Sequence, residues 1–298
     1  MFSISSWLHL RIPFSYFLLP VCLFALAISP NPTNSAVLWT FLVIHIFLYP
    51  ASNGYNSYFD KDEKSIGGLK NPPPVNKGLY YLSLLFDAAA LILGTIMINF
   101  TFAVMLFIYG LASKAYSHPA VRLKKYPVAG WLVAGFFQGF FTLLMSYVGI
   151  NKYELENLFQ PEILYAGALS SLMLWGSYPM TQIYQHEEDG ERGDETLSRM
   201  LGIKGTFYFV GIVFTAVTAA FVWYFFEYMG AEWALAYAGA MAPVVLYFSY
   251  WFLLVYKKES AADYSHTMWL NFISATCLNL FFLSLFVIRS SYYNLLFD

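Results

Sequence analysis

Two clusters of oxygen-bearing side chains interrupt a chain that is otherwise poor in charge, and each directly follows an apolar run. The first cluster is residues 56–64 (Asn-Ser-Tyr-Phe-Asp-Lys-Asp-Glu-Lys), and the second is residues 182–191 (Gln-Ile-Tyr-Gln-His-Glu-Glu-Asp-Gly-Glu). Carboxylates are costly close to hydrocarbon, so their presence there indicates a function. Carboxylate and amide oxygens suit Mg²⁺, which keeps several waters and completes its coordination with phosphate oxygens. The clusters therefore predict a shared divalent cation that binds a pyrophosphate.

The spacing within each cluster supports this interpretation. Asn56, Asp60 and Lys64 are four residues apart, which places them on one face if the segment is helical. In the second cluster Gln182, Gln185 and Asp189 follow at intervals of three and four. The alternative is a pair of solvated helix ends that carry cytoplasmic charge. The spacing, together with a common side of the membrane, favours the metal site.

The composition places both clusters in a membrane protein. The 298 residues are 59% hydrophobic and 11% charged, against roughly 25% charged residues in soluble domains. The apolar runs are continuous and not alternating, which predicts helices rather than a β-barrel. No linker divides the chain, so an all-α polytopic membrane protein with one domain, residues 1–298, is expected. Runs long enough to cross a bilayer of roughly 30 Å lie near residues 13–29, 36–52, 79–97, 101–117, 127–149, 163–183, 205–226, 232–255 and 267–288.

The basic residues predict the orientation of these nine spans. With the N-terminus inside, only Lys152 and Arg289 of the 16 Lys and Arg residues fall outside, a strong positive-inside bias. Both clusters, after the second and sixth spans, then face the cytoplasm, whereas Asp298 lies on the opposite side. The expected location is a multi-pass protein of the plasma membrane, in contact with the lipid bilayer. Dispersed Lys and Arg residues assemble no basic face, so no nucleic-acid partner is expected.

A basic loop, residues 116–125, follows the fourth span and contains Arg122, Lys124 and Lys125. One interpretation is simple positive-inside anchoring. The other is a cationic clamp for phosphate, in which Arg supplies a planar fork and Lys a point charge. Lys70, which precedes the stiff segment Pro72-Pro-Pro, is a further candidate cation.

The order of these landmarks resembles the UbiA superfamily of intramembrane prenyltransferases, in which aspartate-rich motifs follow the second and sixth of nine helices. The first motif, Asn-Asp-x-x-Asp-x-x-x-Asp, is matched at Asn56 and Asp60, while Ser57 and Lys64 replace two aspartates. The second motif is matched by Asp189 and the Thr-Leu and Leu-Gly that follow, with Gln182 and Gln185 in place of earlier aspartates. The basic loop and the Pro-rich segment after Lys70 are also similar to family segments.

This resemblance implies a bundle around a central apolar cavity open to the cytoplasm. It also implies a Mg²⁺-dependent enzyme that transfers an isoprenyl group from an isoprenyl pyrophosphate to a lipophilic or aromatic acceptor. The catalytic residues expected from it are Asn56, Asp60, Arg122, Lys124 and Asp189. The expected metal ligands are Asn56, Asp60, Asp62, Gln185, Glu188 and Asp189. The expected substrate-binding residues are Asn53, Lys64, Lys70, Tyr116, Ser117 and Gln185.

The altered aspartates leave alternatives open. Neighbouring acidic residues can act as substitute ligands, the site can hold fewer metal ions, or the chain can be an inactive member. A terpene cyclase on the same scaffold, with no external acceptor, is the second functional hypothesis. A transporter would place polar groups near the membrane midplane, whereas here they concentrate at one face. The exception is Asp87, inside the third span, which either serves function, pairs with a cation, or is a protonated helix contact.

Overall fold

The computed structural model describes residues 3–290, and its regular structure is helical apart from one isolated antiparallel bridge between Ile66 and Leu69. Asp298 lies outside the described residues. The α-helices are α1 Ile4–His9, α2 Leu19–Ala27, α3 Asn34–Phe41, α4 Tyr49–Asp60, α5 Lys77–Met97, α6 Phe100–Ser117, α7 Pro127–Gly135, α8 Thr142–Asn151, α9 Pro161–Gln182, α10 His186–Glu191, α11 Leu197–Met229, α12 Ala231–Lys257 and α13 Tyr264–Arg289. Two π-helical segments, Leu42–Leu48 and Phe136–Phe141, join α3 to α4 and α7 to α8.

The helical, membrane-spanning character predicted from the sequence is confirmed. Within residues 3–290, seven helices are long and apolar enough to cross a bilayer, and an eighth results if the bent pair Ile4–Phe17 and Leu19–Ala27 is counted as one span. The sixth predicted run coincides with α9, which has 22 residues. Its hydropathy is lowered by polar side chains such as Ser170, Ser171 and Thr181. The count of nine spans therefore stays a prediction.

Local sequence signals explain where the helices near the clusters begin and end. Asn76 and Thr196 are N-caps, and their side chains accept hydrogen bonds from the backbone N–H groups of Gly78 and Arg199. Helix α4 ends at Asp60 because Lys61 adopts the left-handed conformation, with φ of 51°. The first cluster is thus half helix and half loop.

Two sets of helices carry the two clusters and face one another. Helix α4 packs against α5 and α6, whereas α9 packs against α11 and α7. Aromatic side chains fill the centre of the second set, where Phe24 of α2 lies against Phe221 and Tyr224 of α11. Residues at the ends of α4 and α9 line one cavity.

Asp87 pairs with a cation, one of the alternatives left open by the sequence. Lys114 of α6 donates to Asp87 of α5, and both side chains are largely buried. The ammonium of Lys114 also lies 5.1 Å from the ring centroid of Tyr55 on α4, a cation–π distance. These contacts join α4, α5 and α6 beside Asn56.

Candidate functional site

Both clusters contribute to the wall of one cavity of about 310 Å³, which we call the main cavity. From α4 it receives Asn53, Asn56 and Asp60, which are separated by three and four residues and therefore share one helical face. This face stops at Asp60, where the helix ends, and the next member of the predicted face, Lys64, does not line the cavity. The helical interpretation of the first cluster thus holds only as far as Asp60.

The second cluster reaches the same cavity without forming a continuous helix. Helix α9 ends at Gln182, a 3₁₀ turn covers Ile183–Gln185, and α10 begins at His186. Gln182, Gln185 and Asp189 nevertheless all line the main cavity. The Nε2 of Gln185 donates to the carbonyl of Ser65 at 3.3 Å, which leaves its amide oxygen for other partners. Because the chain changes from an α-helix to a 3₁₀ turn and back to an α-helix, these three side chains line the same cavity.

Lys124 extends from the basic loop into the main cavity. Its Nζ lies 2.5 Å from Oδ1 of Asp60 and 3.5 Å from Oδ2 of Asp194. Helix α6 ends at Ser117, two residues before Pro119, whose ring disfavours continuation of the helix. Arg122 then takes the left-handed conformation, with φ of 43°, and a 3₁₀ turn spans Leu123–Lys125. The loop therefore curves back over the end of α4.

Arg122 contacts Asp194 and does not line the main cavity. Its Nε and Nη2 donate to the two carboxylate oxygens at 2.9 and 2.8 Å, a bidentate fork. Burial alone would raise the pKa of Asp194, but the hydrogen bonds from Arg122 and the charge of Lys124 outweigh it and lower that pKa. Asp194 is thus an anion that holds Arg122 and Lys124 of the basic loop in place.

Asp189 differs from the other carboxylates of the cavity wall. Burial raises the pKa of Asp189 to about 7, with the positive charge of Lys124 opposing this and Asp194 adding to it. Among residues 3–290, no Lys, Arg or His nitrogen lies within 4.0 Å of its carboxylate. Asp189 therefore lines the cavity as a half-buried carboxyl group free to accept a cation.

Arg192 ties the two clusters together. It donates to Asp62 of the first cluster and to Glu188 of the second, the latter at 2.5 Å. The Oε1 of Glu188 also accepts the backbone N–H groups of Glu63 at 3.0 Å and Lys64 at 3.4 Å. Asp62 and Glu188, both predicted as metal ligands, are therefore occupied by a guanidinium in this structure. Of the two, only Asp62 lines the cavity.

The remaining predicted residues divide into two groups. Lys64 pairs with Glu187 at 2.5 Å on the surface, and Lys70 is exposed, so neither lines the cavity. Tyr116 and Ser117 do line it: the hydroxyl of Tyr116 hydrogen-bonds that of Tyr178 at 2.5 Å, and Oγ of Ser117 accepts from Nδ2 of Asn56 at 3.0 Å. The bond to Ser117 leaves Oδ1 of Asn56 available. Asn53, also on the wall, donates to the carbonyl of Leu10 and accepts from Arg11, both at 3.4 Å.

Sequence reasoning missed several residues of the wall. Asp194 follows Gly193, whose φ of 74° favours glycine. A carboxylate directly after a glycine turn, close in sequence to Asp189, could have been recognised as a candidate site residue from the sequence. For Arg192, the sequence predicted only that it lies on the cytoplasmic side of the membrane. Gln138 and Arg11 also line the cavity, and neither belongs to a recognisable pattern in the sequence. Gln138 lies in the π-helical segment Phe136–Phe141, a geometry that is frequent at functional sites.

The oxygen atoms of the wall fit a Mg²⁺ ion that shares its coordination with a substrate. In the described part of the chain, no three His, Cys, Asp or Glu side chains are arranged to hold a metal by themselves. The wall does offer Asp189 without an ion pair and the buried Oε1 of Gln182 without a donor. Mg²⁺ is commonly bound by only one or two carboxylates together with substrate phosphates, so this donor set is sufficient.

Comparisons with known proteins identify the family and the fold of the chain. The model of the UbiA prenyltransferase family matches residues 17–273. Comparison with curated proteins gives no match. Among solved structures, a UbiA homolog from Archaeoglobus fulgidus bound to DMAPP and Mg²⁺ is similar over 95% of this chain and 99% of that one, with a TM-score of 0.69 and 14% identity.

Two further structures have the same fold. One is the same Archaeoglobus fulgidus homolog bound to GPP and Mg²⁺, with a TM-score of 0.67 and 15% identity over 95% of this chain and 99% of that one. The other is the apo structure of a UbiA homolog from Aeropyrum pernix K1, with a TM-score of 0.66 and 16% identity over 93% of this chain and 98% of that one.

Proposed function

Because the chain belongs to the UbiA prenyltransferase family, we propose that it is a Mg²⁺-dependent intramembrane prenyltransferase. Its substrate would be an allylic isoprenyl pyrophosphate, and the prenyl group would pass to a lipophilic or aromatic acceptor. The observation that carries the proposal is the convergence of Asp60 and Asp189, from separate helix ends, on one cavity that also contains Lys124. The Archaeoglobus fulgidus homolog of the same fold, bound to GPP and Mg²⁺, supports it.

Four side chains of the wall are suited to hold the metal: Asn56, Asp60, Gln185 and Asp189. When bound, Mg²⁺ would neutralise the charge that develops on the leaving pyrophosphate. The altered family aspartates do not remove this capacity, because the amide oxygens of Gln182 and Gln185 stand in the wall beside Asp189. Because the site has few carboxylates, it favours a Mg²⁺ ion that binds together with the pyrophosphate of the substrate.

Lys124 is the residue suited to contact the pyrophosphate directly. Its ammonium lies at the cavity wall and is held by Asp60 and Asp194. A preorganised cation stabilises charge as the allylic C–O bond breaks and its electron pair moves onto the leaving oxygen. Arg122 would act indirectly, because its two hydrogen bonds fix Asp194 and Asp194 in turn contacts Lys124.

The apolar part of the cavity suits the carbon skeleton. Tyr109, Phe137 and Tyr178 contribute rings to the wall, and aromatic faces stabilise a neighbouring cation. Exclusion of water by such walls protects an allylic cation from hydrolysis. The acceptor carbon or heteroatom would then form the new bond to the prenyl group and lose a proton.

The active site is proposed to face the cytoplasm, at the plasma membrane. Lys124, Arg122 and Arg192 are at the site, on the side where the positive-inside rule places the excess of Lys and Arg. The isoprenoid substrate would reach the cavity from the bilayer.

The test is incubation of the purified protein with geranyl, farnesyl and geranylgeranyl pyrophosphate and Mg²⁺, with and without a lipid extract as acceptor source. A prenylated product that requires the extract supports the transferase. Cyclised products formed without the extract would instead assign a terpene cyclase. Absence of pyrophosphate release under all conditions, from protein shown to be folded, would contradict both.

A further inference from the structure

Four carboxylates of the two clusters fall into two sets, and each set takes one residue from each cluster. The first set is Asp60 and Asp189, which line the main cavity and are suited to hold Mg²⁺. The second set is Asp62 and Glu188, which are only 8% and 5% exposed. The guanidinium of Arg192 contacts both carboxylates of the second set. The second set therefore already has a cation, and that cation belongs to the chain.

The contacts of Glu188 show that the second set is built around this guanidinium. Its Oε1 accepts hydrogen bonds from Nη2 of Arg192 at 2.5 Å and from the backbone N–H groups of Glu63 at 3.0 Å and Lys64 at 3.4 Å. A metal ion at Oε1 would have to displace backbone donors, which cannot rotate away as side chains can. The other oxygen, Oε2, is buried and accepts no hydrogen bond, but a divalent ion there would lie beside the positive charge of Arg192, which repels it.

The position of Arg192 in the chain fixes its place between the clusters. It is the C-cap residue of α10 and follows Glu188 by four residues, so the helix itself sets one of its two carboxylate contacts. Its side chain also lines the main cavity. A guanidinium remains charged at all physiological pH values and has five N–H donors in a planar fork that fits phosphate. Its two carboxylate contacts leave further donors for a ligand in the cavity.

The remaining carboxylates of the wall suit one divalent ion. In the described part of the chain, the carboxylates that line the main cavity are Asp60, Asp62, Asp189 and Asp194. Three of them have a Lys or Arg nitrogen within 4.0 Å, and only Asp189 does not. Asp60 shares its partner, Lys124, with Asp194. One unpaired and one partly paired carboxylate match a single Mg²⁺, which takes one or two carboxylates together with substrate phosphates.

On the basis of the proposed function, we propose that the chain binds a single Mg²⁺ with its pyrophosphate substrate and that Arg192 is a built-in second cation. The first set holds the metal, and the second set holds the guanidinium at the cavity wall. Both cations offset the charge of the pyrophosphate as it leaves. This assignment explains why Asp62 and Glu188 are carboxylates although neither is free for a metal.

The test counts the Mn²⁺ ions bound per chain in lipid nanodiscs by electron paramagnetic resonance, with Mn²⁺ in place of Mg²⁺. The probe is farnesyl thiopyrophosphate, which is cleaved slowly, so the count does not depend on turnover. The wild type should bind one ion. Arg192→Gln should bind two, because Asp62 and Glu188 lose their cation. The matched control is Lys64→Gln, which releases Glu187 at the surface, outside the main cavity, and should leave the count at one.

Two further measurements keep the test decisive. Adding Asp62→Asn and Glu188→Gln to Arg192→Gln should return the count to one, because the released carboxylates are then amides. If Arg192→Gln does not fold, Asp62→Asn alone should weaken Mn²⁺ binding by less than about threefold, whereas Asp189→Asn should weaken it by about tenfold or more.

A wild type that binds two ions would overturn the proposal, as would a folded Arg192→Gln variant that binds only one. Equal losses of Mn²⁺ affinity in Asp62→Asn and Asp189→Asn would also overturn it. A folded wild type that binds no Mn²⁺ with the probe would instead contradict the proposed function.

Discussion

The ammonium of Lys124 lies 2.5 Å from a carboxylate oxygen of Asp60, across the gap between the basic loop and the end of α4. The same ammonium is 3.5 Å from Asp194, in the loop before α11. Lys124 thus joins segments from both sides of the main cavity. Positive-inside anchoring alone requires no such contacts, so they favour a role for Lys124 in the site.

Lys124→Ala is expected to lower turnover of an isoprenyl pyrophosphate by about 10²-fold, the loss typical of one preorganised charge contact. Lys125→Ala is the matched control, because Lys125 is exposed and contacts the ring of Tyr126 at 4.8 Å. Steady-state rates of pyrophosphate release compare the two. Equal and mild losses would mean that the basic loop only anchors the protein.

Arg122 is expected to act through Asp194. Arg122→Lys keeps the charge but cannot form the bidentate fork, so it should lower turnover by less than Lys124→Ala does. Asp194→Asn should lower turnover by a smaller factor in the Arg122→Lys background than in the wild type, because the fork between the two residues is already broken there and only the contact of Asp194 with Lys124 remains to be lost. A double-mutant cycle on turnover checks this. Full additivity of the two losses would show that Arg122 acts separately from Asp194.

The sequence was sufficient to identify the helices, the clusters and the basic loop, because apolar runs and charged motifs are local signals. The sequence did not predict which charged side chains pair with one another. Lys64 was grouped with Asn56 and Asp60 on one face, but the left-handed Lys61 ends the helix before it. Arg122 was expected at the substrate, but Asp194, 72 residues away in sequence, holds its guanidinium. Such partners depend on tertiary contacts that residue spacing does not encode.

Arg192 gives a second example of this limit. Its contacts with Asp62 and Glu188 connect the two clusters, so two of the predicted metal ligands also have a structural partner. The prediction from residue types was that carboxylates near one another bind a cation. In the structure the cation that they bind is a side chain of the protein.

The ion pair between Asp87 and Lys114 is expected to stabilise the bundle next to Asn56. Asp87→Asn or Lys114→Met alone leaves a largely buried charge unpaired, at a cost of about 3 kcal/mol. The double variant should recover much of this loss, because no lone charge remains. Thermal unfolding of the protein in detergent measures the three variants. Single variants as stable as the wild type would show that the pair contributes nothing.

The sidedness of the chain is testable with single cysteines in a background that lacks Cys22 and Cys277. Positions 70, 122 and 192 should react with an impermeant thiol reagent only from the cytoplasmic side. Position 152, the left-handed residue after α8, should react only from the opposite side. Labelling of positions 70 and 152 from the same side would contradict the predicted topology.

The measurement closest to the central claim is the Mg²⁺-dependent binding of farnesyl pyrophosphate to wild type, Asp60→Asn, Asp189→Asn and the double variant. Glu191→Gln is the control, since Glu191 is exposed on α10 and lies outside the main cavity. Each single variant should bind at least about tenfold more weakly, as expected for loss of a metal ligand. The double variant should be little worse than either, because both residues hold one metal–pyrophosphate unit. Binding by Asp189→Asn with wild-type affinity and wild-type dependence on Mg²⁺ would contradict a site shared between the two clusters.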